Sequence, residues 1–400
     1  MGKFDRFFDE SEARAARVKP PMPVRGLPGG SWADDGVYRV ESVRGIGTPH
    51  GRNALARPEE MRVMEAFGAR GSVVFLDLET TGLAGGTGTY AFLCGIGFSS
   101  GIDFKVVQFF LEGPSKESRW LKAIDSAIPE DACLVTYNGS SFDIPLLRTR
   151  HVLARSRASW DGLPHIDLLH HARRFYKGRL ESCSLGSMER HVLGVGRSGE
   201  DIPGHLIPEM YMRYLQTRDA SRLAGVFYHN ELDIVSLAAL YCHIAGLLEG
   251  SSRDGADLVR AGDIWMAKGN ADRAGMLWDM AKDMPRAKIE ACVRKGLMAK
   301  KAMDHESARD AFLLALDAIR GGERPASGAV LYMLLEELAK LEEHRFKSPQ
   351  TAMEHVTMAL GWLRRNRYLL GDAYRRMHGL MTRRADRLAR ILRNPKKPGN

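Results

Sequence analysis

Asp77 and Glu79 stand two residues apart in the segment VVFLDLETTGL. The apolar run from Val73 to Leu78 reads as a buried strand, and period two then puts both carboxylates side by side on one face. Ordinary strands avoid this, because like charges repel and an unpaired buried carboxylate costs on the order of several kcal/mol. Divalent cations between the two groups remove that cost. Asp143 in YNGSSFD and Asp233 in YHNELD, each in a helix-like segment, are the further oxygen donors that hard cations need. The pattern is that of a metal-dependent site for phosphodiester hydrolysis.

At 400 residues the chain is large for one core, so two domains behind a short N-terminal extension are expected. No uninterrupted apolar span approaches the roughly 20 residues of a membrane helix. The start, MGKFDRFFDE, has neither the apolar core nor the cleavage site of a secretory signal. The five cysteines are scattered and form no Cys-x-x-Cys, which fits reduced thiols in a cytoplasm better than disulfides or a zinc site. The net charge of +9 is concentrated at one end: residues 361–400 hold twelve Lys or Arg against two Asp. A basic tail is therefore what the chain offers a polyanion. Within it, Arg376, Arg383, Arg387 and Arg390 share one helical face, and Met377, Met381, Leu388 and Leu392 the opposite one. A nucleic-acid contact surface and a docked terminal helix with a solvated basic face fit this pattern equally.

Residues 1–35, rich in Arg, Pro and Gly, read as a mobile arm, and 36–70 as a mixed region without a clear pattern. From residue 71 the pattern is α/β. Strands are expected at 72–78, 90–98, 104–111 and 133–137, with helices at about 117–127, 142–154, 184–193, 208–217 and 220–248. Hairpin-linked strands followed by alternating helices and strands is the order of a ribonuclease H-like core, a mixed sheet flanked by helices over 36–248. Residues 251–400 are expected to be all-α. There Ala274, Trp278 and Ala281 recur 34 positions later as Ala308, Phe312 and Ala315, and more loosely as Ala352, Val356 and Ala359. With Trp265 and Gly269 leading it, this spacing resembles a tetratricopeptide repeat, in which small residues let paired helices approach. A plain helical bundle is the alternative.

The motifs Asp77-Leu78-Glu79-Thr80-Thr81-Gly82-Leu83 and Asn138-Gly139-Ser140-Ser141-Phe142-Asp143 resemble those of the DEDD superfamily of 3′–5′ exonucleases. The stretch LDLETTGLAGGTGTYAFLCGIGF, with His165-Ile166-Asp167-Leu168 and Tyr228-His229-Asn230, looks like the YprB-like branch of ribonuclease H-like proteins. The resemblance covers roughly residues 40–248. It implies a 3′–5′ exonuclease acting on single-stranded DNA or RNA with two Mg²⁺ or Mn²⁺ ions. Asp77, Glu79, Asp143 and Asp233 would be the metal ligands. Thr80, Thr81, Leu83 and Asn138 would line the substrate, and a protein partner would meet the helical repeats.

The third motif departs from the superfamily, where His stands five before the last Asp or Tyr four before it. Here Tyr228 is five before Asp233 and His229 four before. Residues i and i+4 share a helical face, and imidazole is the better base near neutral pH, so His229 is the expected water-activating residue and Tyr228 its rival. Each residue also has a plainer reading: Asp143 as a helix start, His229 as a core histidine, Asn138 as a turn former. Gly85, Gly86 and Gly88 lack the ending of a phosphate loop and suggest a tight turn. His165, His170 and His171 with Asp167 have mixed spacing for zinc. Two rival functions remain on the same core: an endonuclease, and a weakly active scaffold that binds nucleic acid and recruits a protein.

Overall fold

A computed structural model describes residues 24, 26–34, 36–82, 88–197, 202–325 and 327–393. Leu83, Gly85, Gly86, most of the N-terminal arm and the last seven residues of the basic tail lie outside the described residues. The chain divides into two compact units, 1–246 and 247–400.

The first unit is built on a seven-stranded mixed sheet. Its strands are β1 (Ser31–Asp34), β2 (Val37–Gly45), β5 (Val73–Thr80), β6 (Ala91–Ser100), β7 (Asp103–Leu111), β8 (Cys133–Thr136) and β9 (His165–Asp167). They lie side by side in the order β1-β2-β7-β6-β5-β8-β9. A two-stranded ribbon, β3 (Pro49–His50) with β4 (Asn53–Ala54), follows β2. β5, β6 and β7 form an antiparallel meander, while β8 and β9 run parallel to β5. β5 is therefore the interior strand where the two kinds of pairing meet.

Five strands, β1 to β4 and β9, lie where the sequence shows no clear signal. β1 falls inside the stretch read as an arm and pairs with β2. β2 pairs with β7 along its whole length, but after Val37 and Tyr38 its residues alternate only between exposed and half-buried. A strand with so little of itself in the core carries little period-two signal.

The helices of this unit are α1 (Glu117–Ala127), α2 (Asp143–Leu153), α3 (Leu168–Tyr176), α4 (Leu185–Met188), α5 (Ile207–Thr217) and α6 (Ala224–Glu249). The helix expected over 184–193 is a single α turn continued by a π-helical turn, Glu189–Leu193. Trp120 of α1 donates its indole N–H to the Phe109 carbonyl at 2.9 Å. Tyr211 of α5 stacks on Phe92 with ring centroids 4.1 Å apart. α6 packs where β6 has no side chains to obstruct it: a Cβ on Gly95 would lie 2.3 Å from Asn230 Oδ1, and one on Gly97 2.4 Å from Ile234. Such glycines mark close approach of another element to a strand. The segment Ser221–Glu249 is long and apolar enough to cross a membrane by length and composition, contrary to the sequence expectation. However, 72% of its most apolar window is buried inside the protein, which makes it a core helix.

The second unit is helical throughout its described residues. Its elements are α7 (Gly255–Ala267), α8 (Ala271–Lys282), α9 (Lys288–Lys301), α10 (His305–Arg320), α11 (Gly328–His344), α12 (Pro349–Arg365), the short α13 (Arg367–Leu370) and α14 (Asp372–Arg393). All nine repeated small and large positions, from Ala274 to Ala359, are buried. A second feature shares the 34-residue spacing. Gly262 on α7 leaves room for Trp278 on α8, and Gly296 on α9 for Phe312 on α10; added Cβ atoms would come within 2.3 and 2.4 Å of these rings. α14 buries Met381 and Leu388 in the core of this unit, while Leu392 remains exposed. Arg384 and Arg387 pair with Glu343.

Candidate active site

Pairing aligns Asp77 of β5, Gly95 of β6 and Gln108 of β7 in one row. Glu79 pairs with Leu93, two residues along the same face. Asn230 of α6 descends into the gap above Gly95 and bridges the row. Its Nδ2 donates to Asp77 Oδ2 at 2.9 Å, and its Oδ1 accepts from Gln108 Nε2 at 2.9 Å. Gln108 Nε2 also donates to the Phe227 carbonyl at 2.8 Å. Asn230 and Gln108 are both buried. The amide orientation follows from this chain, because a carboxylate and a carbonyl can only accept.

Burial pushes the Asp77 carboxyl well above the ordinary carboxylate range, and Asp233, Glu79 and Asp143 add to the shift; the Asn230 hydrogen bond opposes it. Asp143 opens α2 just beyond β8, the parallel neighbour of β5. Its carboxyl is pushed up to about 7, chiefly by burial and with a contribution from Asp167, against the pull of its own backbone N–H.

The loop between β8 and α2 is held by Asp167. This carboxylate accepts from the Asn138 N–H at 2.8 Å, the Ser140 N–H at 3.1 Å and the Ser140 hydroxyl, and it caps α3 by accepting from the Leu169 N–H at 3.0 Å. Burial alone would raise its pKa, but these donors outweigh that effect and lower it. Asn138 has φ 63°, a left-handed conformation that Asn tolerates better than most residues. It also lines a cavity of about 950 Å³ with Tyr137, Leu169, Arg173, Lys177 and Ser184. Arg173 and Lys177, exposed one helical turn apart, put two positive charges on that lining, and Glu181 puts one negative charge there.

Thr80 and Thr81 are buried, and their hydroxyls, expected against substrate, serve their own loop. Thr80 donates to the Gly82 carbonyl at 2.9 Å, and Thr81 accepts from the Tyr90 N–H at 2.9 Å. His165 meets the Thr136 hydroxyl at 2.8 Å, and His171 packs edge-on against Phe67.

On α6, His229 Nε2 lies 3.6 Å from Asp233 Oδ2, as a spacing of four allows. Both residues meet Arg197, which the sequence did not single out. Arg197 donates from Nη1 to His229 Nδ1 at 3.0 Å and from Nη2 to Asp233 Oδ1. An arginine cannot accept, so Nδ1 of His229 accepts and the ring proton sits on Nε2. From below, Glu189 holds the same guanidinium with two bonds, Nε–Oε2 at 2.7 Å and Nη2–Oε1 at 2.9 Å. Glu189 Oε1 also accepts from Ser236 Oγ at 2.6 Å, and that hydroxyl meets His50 Nε2 at 2.9 Å. Burial disfavours the arginine's charge, but Glu189 and Asp233 more than compensate and raise its pKa.

The chemistry of the donor set suits a hard cation, since three further carboxylates, Asp233, Glu79 and Asp143, act on that of Asp77. Among the described residues, however, no three His, Cys, Asp or Glu side chains stand ready to hold a metal. One oxygen of Asp233 is engaged by Arg197.

Residues 74–245 match the RNase H superfamily. The chain is also 34% identical over 304 residues to the uncharacterized protein YprB of Bacillus subtilis (strain 168), a match that covers 73% of this chain and 70% of that protein.

Proposed function

The chain belongs to the RNase H superfamily, and from that premise we propose that it is a metal-dependent nuclease, a 3′–5′ exonuclease on single-stranded nucleic acid. One observation carries the reading: the half-buried Asp77 carboxyl feels Asp233, Glu79 and Asp143 together, and each of these raises its pKa. Four carboxylates from a strand and two helices, Asp77, Glu79, Asp143 and Asp233, would hold two Mg²⁺ or Mn²⁺ ions. Such ions acidify water and offset the charge that develops on the leaving oxygen. Asn230 fixes which oxygen of Asp77 faces the site, and Asp167 fixes the loop that delivers Asp143. His229 is the proton acceptor for the attacking water, and Tyr228 is its rival. The cavity lined by Arg173 and Lys177 fits a phosphate backbone entering past Asn138. The 3′ polarity and the release of nucleoside 5′-monophosphates rest on the likeness of the two acidic motifs. The helical unit is read as tetratricopeptide-like with a protein partner, and the protein as cytoplasmic.

The test is incubation with Mn²⁺ or Mg²⁺ and 5′-labelled single- and double-stranded DNA and RNA, with circular single strands alongside. Ladders shortening from the 3′ end, circles left intact and no cleavage by Asp77→Ala are expected. Cleaved circles would replace the exonuclease with an endonuclease. Inertness on every substrate with both metals would sink the nuclease reading.

A further inference from the structure

Arg197 occupies both α6 groups to which the proposed chemistry assigns a role. A carboxylate oxygen that accepts from a guanidinium N–H has a lone pair engaged, and a cation arriving beside it meets a like charge. Likewise, a His nitrogen that accepts from arginine cannot take a proton from water. Both bonds come from one side chain, Nη2 to Asp233 and Nη1 to His229 at 3.0 Å. The arginine is seated firmly: Glu189 is 1% exposed, grips it with two bonds and is itself held through Ser236 to His50.

We propose that Arg197 is a built-in competitor of the catalytic cation, which holds Asp233 and His229 out of use until a divalent ion displaces its Nη groups. This rests on the reading of Asp233 as a metal ligand. Seated on Glu189, the arginine keeps a neutralising charge beside the carboxylates in the metal-free protein, so the site needs no cation to fold. The same seat lowers the metal affinity, because only the fraction of molecules with Arg197 withdrawn binds the ion at full strength.

Calorimetric titration of the full chain with Mn²⁺ tests this without any measure of activity. Arg197→Gln alone leaves Glu189 buried without its partner, so the main variant is Arg197→Gln with Glu189→Gln, whose amide still accepts from Ser236. A thermal melt establishes that it is folded. The expected result is Mn²⁺ affinity raised by about tenfold or more. Arg197→Lys, with one charge but without the fork, should fall between the two. Unchanged or weaker affinity in the folded double variant would assign Arg197 to holding Asp233 in place and overturn the competitor role. If neither protein binds Mn²⁺, the metal reading of the site fails and takes this inference with it. Normal binding indifferent to the substitution removes only Arg197's part.

Discussion

Asn230 donates its side-chain N–H to Asp77 Oδ2 at 2.9 Å across the gap that Gly95 leaves in β6. A methyl group at position 95 would stand 2.3 Å from Asn230 Oδ1 and push the amide off both Asp77 and Gln108. Gly95→Ala is therefore expected to destabilise the protein by about 1–3 kcal/mol, the usual range for overpacking, and to lower turnover. Asn230→Ala should lower turnover without the clash. Chemical denaturation and single-turnover assays check both, and a Gly95→Ala protein with wild-type stability would show that α6 does not bear on the strand here.

His229→Ala should reduce turnover at neutral pH by about a hundredfold or more, the common scale for a lost general base. Tyr228→Phe should lose much less, because His229 shares a helix face with Asp233, 3.6 Å away. Rates for the two variants at saturating Mn²⁺ decide the matter, and the reverse ranking would name the tyrosine.

The Asp143 carboxyl titrates at about 7 in the folded protein against 3.8 for the ordinary group. Between those values the folded state binds the extra proton. Stability of the metal-free protein therefore falls as pH rises from about 4 to 7, and this contribution is level above that. Asp143→Asn should remove that part of the slope. Melting temperatures in chelator at pH 5 and pH 8 provide the comparison, and identical slopes in the two proteins would refute the assignment.

Removal of residues 372–400 takes away Met381 and Leu388, both buried, and leaves Glu343 without Arg384 and Arg387. The melting temperature should fall. Replacing Arg376, Arg383 and Arg390 by alanine leaves the buried stripe intact and tests the charge alone. For every phosphate that these arginines neutralise, their removal should flatten the log–log salt dependence of nucleic-acid binding by roughly one unit or less. An unaltered slope would confine α14 to a packing role.

The strands and helices from β5 to α2 were legible because each writes its own period locally, and the 34-residue spacing was legible because helix pairs repeat it. What failed was of two kinds. β2 exposes much of its length, so its composition resembles a loop, and β9 is three residues long. Arg197 and Glu189 meet Asp233 and Ser236 only through the fold, at separations of 36 and 47 residues with no periodic trace. Gly95 and Gly97 were a missed signal: alternate glycines in an otherwise apolar strand announce that another backbone comes close. The carboxylates on β5 and α6 could be placed on their own elements by spacing, whereas the partners that orient them could not.

Placing Asn230, His229 and Asp233 on α6 also has a consequence for synthesis. α6 closes the sheet face that carries Gly95, Gly97 and Asp77, and it is the last helix of its unit in chain order. A nascent chain stopped before Ala224 leaves that face bare, with apolar strand surface exposed until the helix has been made. No product that stops before Asp233 carries the complete acidic set, so any hydrolytic capacity of this unit appears only after its cover has been made.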